Sequence, residues 1–216
     1  MSASARTIFE QLKKMEQQFV ETIKIKDGKA QSVAYHQARM ERTIKHFFPA
    51  LFRTSVPSLE EFIIPKENME LYKARVVYGE HGIETIEYAP YTMRKIASLQ
   101  VVTDDTIEYS FKSTDRTRLL TALSAKKGNC DEVIIVKKGL VTDTSFTNIA
   151  LYDGSRWTTP RHPLLLGTKR ASLLEHGVIQ ETDITLQDLQ KAQRIRLFNA
   201  MIEFGEMEIP IENLHF

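Results

Sequence analysis

Tight-turn sequences divide the second half of this chain into short strand-like runs, and that division restricts the folds open to it. Runs rich in β-branched and aromatic residues cover positions 131–136, 140–143, 148–152 and 157–158. The pairs Lys138-Gly139 and Asp153-Gly154 separate them, and such pairs favour the turns of β-hairpins. A helical run follows Gly167 and closes at Gly177. We therefore predict hairpin-connected strands followed by a helix.

The first half mixes helical and strand patterns. An apolar stripe of helical spacing comes first and consists of Ile8, Leu12, Met15 and Phe19. A strand at 20–25 then reaches the Asp27-Gly28 turn, and a return strand at 30–35 leads into a helix from His36 to Phe48. Three strands between residues 71 and 102 suggest an antiparallel sheet. We predict an α+β fold with two domains, residues 1–103 and 104–216.

Composition excludes several classes of protein. The 216 residues are 42% hydrophobic and 26% charged, which is ordinary for one or two globular domains. The formal charge of +1 gives no field that would attract nucleic acid or an anionic membrane. Cys130 is the single cysteine, so an intrachain disulfide is excluded, and no metal site is predicted. Because the start is polar and no run is as long as a membrane-spanning helix, we expect a cytoplasmic protein.

Lys112 is the first candidate catalytic residue. It stands between the strand-like run 107–111 and a helix-like run opened by Ser113 and Thr114. An amine at the end of a rigid element, beside Phe111, can lose solvation, which lowers its pKa and favours Schiff-base formation. The alternative is an ordinary solvated lysine.

The helix start at Gly167-Thr168 is a candidate anion site. A helix N-terminus presents backbone N–H groups and a partial positive charge, and glycine lets an anion approach closely. Many helices begin after glycine without binding anything, so the pattern alone leaves both interpretations open. Arg39 is a candidate partner, because a guanidinium matches phosphate oxygens bidentately, or else it is a surface arginine.

Asp143 is the candidate carboxylate. It stands among hydroxyl and amide residues at the end of a strand-like run, where one interpretation is that it simply bonds turn amides. In the functional alternative, this carboxylate holds the N–H of a pyridinium ring and strengthens the ring as an electron sink. Lysine, anion site and carboxylate together are the parts needed to hold pyridoxal phosphate.

The chain resembles the class IV aminotransferase family of fold type IV pyridoxal-phosphate enzymes, which includes branched-chain and D-amino acid aminotransferases and 4-amino-4-deoxychorismate lyases. The resemblance runs from about Phe19 to Ile202. Its markers, in chain order, are Glu21-Thr-Ile-Lys24 with Asp27-Gly28, His36-Gln-Ala-Arg39-Met, Tyr109-Ser-Phe-Lys112, Asp131-Glu132, Gly139-Leu-Val-Thr-Asp143 with Asn148, Thr159-Pro160, Leu166-Gly167-Thr-Lys-Arg170 and Asn199-Ala-Met201.

The resemblance implies a two-domain fold with the cofactor in the interdomain cleft, and a homodimer. It implies that Lys112, in the C-terminal domain, is the Schiff-base lysine and that Arg39 binds phosphate. The remaining implied cofactor residues are Thr168 and Lys169, through their backbone N–H groups, Asp143, in place of the usual glutamate at the ring nitrogen, and Asn199, in a segment near the phosphate. Ala200, which follows Asn199, has no hydroxyl to offer.

The substrate side is less defined, because a front segment usual in the family is replaced here by the helical stripe. Tyr91 and Arg94 are candidate substrate residues, with Arg94 holding a carboxylate; both are alternatively sheet-surface residues. We expect a lyase that eliminates pyruvate from 4-amino-4-deoxychorismate. The alternatives are a class IV aminotransferase and a family member that binds pyridoxal phosphate or another phosphorylated molecule without turnover.

Overall fold

A four-stranded antiparallel sheet organises the N-terminal part of the computed structural model, which describes residues 17–216. The strands lie in the order β2-β1-β3-β4 and are β1 (Phe19–Lys26), β2 (Lys29–Ala30), β3 (Leu71–Gly79) and β4 (Gly82–Pro90). β1 pairs with β3 along its whole length, from Phe19 opposite Tyr78 to Lys26 opposite Leu71. The β1–β2 turn has positive φ at Asp27 and Gly28, 50° and 69°, as an Asp-Gly hairpin requires.

Helices follow this hairpin: α1 (Val33–Phe47), α2 (Pro49–Thr54) and α3 (Leu59–Phe62). The predicted helix ending before Pro49 is confirmed, but the predicted return strand is only two residues long, because Ser32 takes a left-handed conformation and α1 begins at the next residue. Met40 and Ile44 of α1 and Ile23 and Ile25 of β1 belong to one buried apolar cluster. Of the predicted helical stripe, Phe19 is instead the first residue of strand β1, and the other three residues lie outside the described residues.

The segment around Lys112 does not form the predicted strand-to-helix junction. Residues 107–111 are irregular, and the next helix, α4 (Thr117–Ser124), begins five positions after Lys112 and ends before Gly128. The segment instead follows β1: Ser113 forms a bridge with Phe19, and Val20 N donates to Lys112 O at 2.9 Å. Strand-like composition here reflects burial, since Ile107 is fully buried although its backbone is not in a sheet.

By contacts the chain separates into two units. The first comprises the residues up to Tyr91 and Phe111–Asp115, and the second comprises Thr92–Ser110 and Arg116–Phe216. The sequence placed Lys112 in a C-terminal domain beginning at residue 104. The contacts group it with the first unit, because main-chain hydrogen bonds tie its segment to β1.

The second unit contains two sheets. Besides α4, its described strands and helices are β5 (Leu99–Thr103), β6 (Glu132–Lys137), β7 (Leu140–Thr144), β8 (Asn148–Tyr152), β9 (Trp157–Pro160), α5 (Thr168–Glu175), β10 (Gln180–Thr182), α6 (Leu186–Lys191), β11 (Arg194–Phe198), β12 (Glu208–Pro210) and β13 (Leu214–His215). A 3-10 turn lies at Ile211–Asn213. One sheet has the order β13-β5-β6-β7, and the other β10-β9-β8-β11-β12.

The predicted third strand of the N-terminal sheet belongs to this second unit instead. β5 pairs in parallel with β6, and α4 lies in the connection between them. A parallel pair requires such a crossover, whereas the prediction assumed a hairpin neighbour. The four short strands read from the sequence are confirmed as β6 to β9, and the α+β class is confirmed.

Adjacent strands β7 and β8 belong to different sheets, so the turn that joins them brings the ends of both sheets together. Asp143 is the second-to-last residue of β7, and Asn148 is the first residue of β8. The fold therefore places these two side chains close to each other. Within residues 17–216 no helix is long and apolar enough to cross a membrane.

Candidate active site

Lys112 has a firmly held backbone. Beyond the Val20 bond, Thr114 N donates to Gln18 O at 3.0 Å. The preceding residue, Phe111, stacks on His46 with ring centroids 4.7 Å apart and meets the Phe47 ring edge-on at 4.8 Å. Hydrogen bonds and aromatic packing thus fix the chain around Lys112, which is what a reactive amine needs to be presented in one orientation.

Glu21, His36 and Arg39 form a buried polar cluster. Arg39 donates from Nε and from one terminal nitrogen to the two carboxylate oxygens of Glu21, at 2.9 and 2.5 Å. His36 Nδ1 lies 2.6 Å from Glu21 Oε2. Burial alone would raise the pKa of Glu21, but the Arg39 charge and these hydrogen bonds lower it to about 2. Glu21 is therefore ionised and binds Arg39 in a fixed, bidentate geometry.

The same group places Lys112 and Arg39 in one neighbourhood. The pKa of His36 is lowered, chiefly by burial, and the charge of Lys112 also lowers it. His36 and Arg39 lie on successive turns of α1, and Glu21 faces them from β1. Two of the predicted cofactor residues are thereby brought together in the first unit. From the sequence, Glu21 and His36 were markers of the family resemblance only, and no role was predicted for either side chain.

In the second unit, Asp143 is held at both oxygens. Asn148 Nδ2 donates to Oδ1 at 2.8 Å, and Leu165 N donates to Oδ2 at 2.9 Å. The side chain is only 4% exposed. Burial raises the pKa of Asp143 to about 7, although these hydrogen bonds, a further one from the Leu164 backbone and the Arg170 charge oppose the rise. The hydrogen bonds thus fix the orientation of the carboxylate, but they do not offset the cost of burying its negative charge.

The turn after Asp143 is stabilised by other groups. Thr144 Oγ1 accepts from Thr147 N at 2.9 Å and from Phe146 N at 3.2 Å, while Glu132 accepts from Ser145 Oγ at 3.0 Å. Of the hydroxyl and amide residues near Asp143, Asn148 supplies a hydrogen bond to its carboxylate, and the second comes from a backbone N–H outside the turn. Its backbone partner, Leu165, comes from a segment 22 residues further along the chain.

The predicted anion site is the first turn of α5. Gly167 is its N-cap residue and has no side chain with which to accept a bond from the first-turn N–H groups. Thr168 is 4% exposed, and the Lys169 ammonium pairs with the Glu203 carboxylate. Arg170 is buried and donates to Pro160 O at 2.8 Å and to Glu181 at 2.5 Å. Because both of these cations are paired with carboxylates, an anion here would be bound by the uncapped backbone N–H groups of the helix start.

The Asn199 side chain forms hydrogen bonds to the backbone of its own turn and to the turn that follows Asp143. Its side-chain oxygen accepts from Met201 N at 2.8 Å, and its amide donates to Phe146 O at 3.2 Å. The Arg94 guanidinium lies 4.9 Å from the centre of the Phe146 ring. Arg94 and Asn199 thus belong with Asp143 in the second unit, whereas Tyr91 is the last residue of the first unit and donates its N–H to Leu71 O at 3.1 Å.

Comparison with known proteins identifies the family of the chain. Residues 18–207 match the family model described as amino-transferase class IV. The chain belongs to the class IV aminotransferase family. An uncharacterised Haemophilus influenzae protein is 38% identical over 183 residues, which cover 84% of this chain and 96% of that protein.

Two solved structures show the same family fold. A candidate 4-amino-4-deoxychorismate lyase from Haemophilus somnus is 34% identical, with a TM-score of 0.78 over 87% of this chain and 97% of that one. A hypothetical aminotransferase from Mycobacterium tuberculosis, solved with pyridoxal phosphate bound, has a TM-score of 0.70 at 18% identity, over 91% of this chain and 81% of that one. Pyridoxal phosphate is accordingly the expected cofactor of this class IV family member.

The donor set of the chain fits that cofactor. Among the residues that the structure describes, Asp143 accepts hydrogen bonds from neutral groups and has no ion-pair partner. Glu21, which is equally buried, has Arg39 and His36. A protonated ring nitrogen would supply Asp143 with an ion-pair partner.

Asp143 should give the cofactor-free protein a distinct pH dependence. Its pKa is about 7 when folded and close to 3.8, the ordinary value, when unfolded. The folded state then binds more protons between these values, so the free energy of unfolding falls as pH rises from about 4 to about 7, by up to about 1.4 kcal/mol per pH unit. Urea unfolding of the wild type and Asp143→Asn across this range measures it. A constant difference between the two proteins would contradict the assignment.

Proposed function

We propose that this class IV family member is a pyridoxal-phosphate enzyme that eliminates pyruvate from 4-amino-4-deoxychorismate. The observation that supports the cofactor is the environment of Asp143. This carboxylate is buried and, within the described residues, accepts hydrogen bonds only from neutral donors. The choice of reaction is supported by the similarity to the Haemophilus somnus protein, which is named as a candidate lyase of this type.

The proposed roles follow from the family resemblance and from the chemistry of each group. Bound pyridoxal phosphate would supply an aldehyde to capture the substrate amine and a ring to accept electrons. Lys112 would react with the aldehyde and, once displaced by substrate, remove the proton from the carbon that bears the amino group. Asp143 would keep the ring nitrogen protonated. Arg39 and the backbone of Thr168 and Lys169 would bind the phosphate.

In the lyase reaction, loss of that proton is followed by breakage of the neighbouring C–O bond. The departing enol takes up a proton to become pyruvate, and the ring that remains is aromatic 4-aminobenzoate. Lys112 is the group available to move the proton. Arg94 is the proposed partner for a substrate carboxylate. Its guanidinium is exposed and lies on the ring of Phe146, which belongs to the turn that follows Asp143. Tyr91 is proposed as a second substrate contact.

Transamination is the second candidate, since the matching family model is that of class IV aminotransferases. It would return the proton to the cofactor and release a 2-keto acid. A third candidate, binding without turnover, follows from Asp143 having a shorter side chain than the family's usual glutamate. The family resemblance also supports a homodimer that acts on a small amino substrate, and the balanced charge argues against a nucleic-acid partner. Sedimentation equilibrium tests the dimer.

Product analysis separates these candidates. Purified protein loaded with pyridoxal phosphate is incubated with 4-amino-4-deoxychorismate, and 4-aminobenzoate and pyruvate are measured together. We expect equal amounts of both. Amino transfer from an amino acid to a 2-keto acid, without 4-aminobenzoate, would support the aminotransferase. Saturable cofactor binding with neither activity would support the binding protein.

A further inference from the structure

The amide of Asn148 bridges two parts of the second unit. Its single Nδ2 donates to Asp143 Oδ1 at 2.8 Å and to Leu165 O at 2.9 Å. Leu165 N in turn donates to Asp143 Oδ2 at 2.9 Å. The three residues therefore close a ring of hydrogen bonds, and both oxygens of the Asp143 carboxylate are fixed relative to the backbone two residues before Gly167.

The other side of the Asn148 amide packs against Gly167. A Cβ atom added to Gly167 would lie 1.9 Å from Asn148 Oδ1 and 3.1 Å from its Cγ. The backbone of Gly167 has φ −69° and ψ 146°, which any residue can adopt. Glycine is therefore required for space and not for conformation, and the space is that of the Asn148 amide.

We propose that Asn148 is a positioning residue that fixes the Asp143 carboxylate relative to the first turn of α5, and that Gly167 is glycine to admit it. Hydrogen bonds join Asp143 to Leu165, and close packing joins Asn148 to the N-cap residue of the helix. A ligand that contacts both Asp143 and the helix start depends on this spacing, whereas a ligand that contacts the helix start alone does not. The inference rests on the proposed cofactor site for its ligand, but the packing can be tested without one.

The first test is a double-mutant cycle on the cofactor-free protein. Gly167→Ala in the wild type should lower Tm by roughly 2–12 °C, the range for overpacking in a chain of this length. In an Asn148→Ala background the same change should lower Tm by less than a third as much, because the clashing amide is gone. Gly79→Ala is the matched control: its Cβ would lie 2.4 Å from Glu84 Oε1, the end of a flexible side chain that can move away. Equal losses in both backgrounds would overturn the proposal.

The second test measures ligand binding. Asn148→Ala should weaken pyridoxal phosphate binding at least tenfold and leave inorganic phosphate binding, measured by calorimetry, within about twofold of wild type. Pyridoxal phosphate binding unchanged by the substitution, or both ligands weakened equally, would overturn the positioning role. If the wild type itself binds no pyridoxal phosphate, the proposed function fails, while the stability cycle still decides whether Asn148 and Gly167 are coupled.

Discussion

Replacing Lys112 with alanine is expected to lower turnover at least about a thousandfold and to leave the protein folded. The loss is large because the lysine is proposed both to react with the cofactor aldehyde and to move the substrate proton, so no second group replaces it. Folding should persist because the segment is held by its backbone and its neighbours: Val20 N donates to Lys112 O, and Phe111 packs on His46 and Phe47.

Borohydride reduction provides a readout that does not depend on the substrate. Wild-type protein reduced in the presence of pyridoxal phosphate should carry the cofactor on the peptide that contains Lys112. Lys112→Ala should carry none there, and Lys112→Arg, which keeps the charge, should behave like the alanine variant. Lys137→Ala is the control, since that lysine pairs with Glu108 and has no proposed role. Label scattered over several lysines, or full turnover by Lys112→Ala, would mean that Lys112 is not the reactive amine.

The sequence predicted those parts of the fold that depend on local signals. Hairpin turns at Asp27-Gly28 and Lys138-Gly139 were found, because both turn residues take positive φ, which these sequences favour. The partner of β5 could not be found in this way. Its pairing with β6 depends on the crossover through α4, and nothing local in Leu99–Thr103 distinguishes a parallel from an antiparallel neighbour.

Residue types identified the candidates for the site but not their partners. Asp143 was chosen for its carboxylate, yet its environment depends on Leu165, which is 22 positions away. In the sequence, Glu21 is one residue of an alternating strand pattern, and that pattern does not predict that its carboxylate is buried. The burial depends on α1, which places Arg39 and His36 against Glu21. The spacing of five between Asp143 and Asn148 was the one sequence signal for their hydrogen bond, because a short loop joins the two strands.

Glu21→Gln is expected to destabilise the protein by about 3–5 kcal/mol, the usual cost of leaving a buried charge without its partner. Glu21 is fully buried and Arg39 is 7% exposed, so solvent cannot replace the lost carboxylate. Glu87→Gln is the matched control on the same sheet. Its carboxylate is 67% exposed and lies 3.8 Å from Arg75, and loss of such a pair costs about 0–1 kcal/mol. Urea unfolding at neutral pH compares the two variants.

Two further measurements show whether charge is the cause. The pKa of Glu21 is depressed to about 2, so its stabilising contribution is present above pH 4.5 and is lost as pH falls toward 2. The cost of Glu21→Gln should therefore shrink over that range. Removing both charges in Glu21→Gln/Arg39→Met should be less destabilising than Glu21→Gln alone, because no unpaired guanidinium remains buried.

The double variant also separates stability from binding. If Arg39 binds the phosphate, the variant should recover stability relative to Glu21→Gln and still bind pyridoxal phosphate at least tenfold more weakly than the wild type. Wild-type affinity in the double variant would leave Arg39 with a purely structural role as the partner of Glu21. Phosphate binding would then depend on the start of α5, where Gly167 provides no side-chain cap for the first-turn N–H groups.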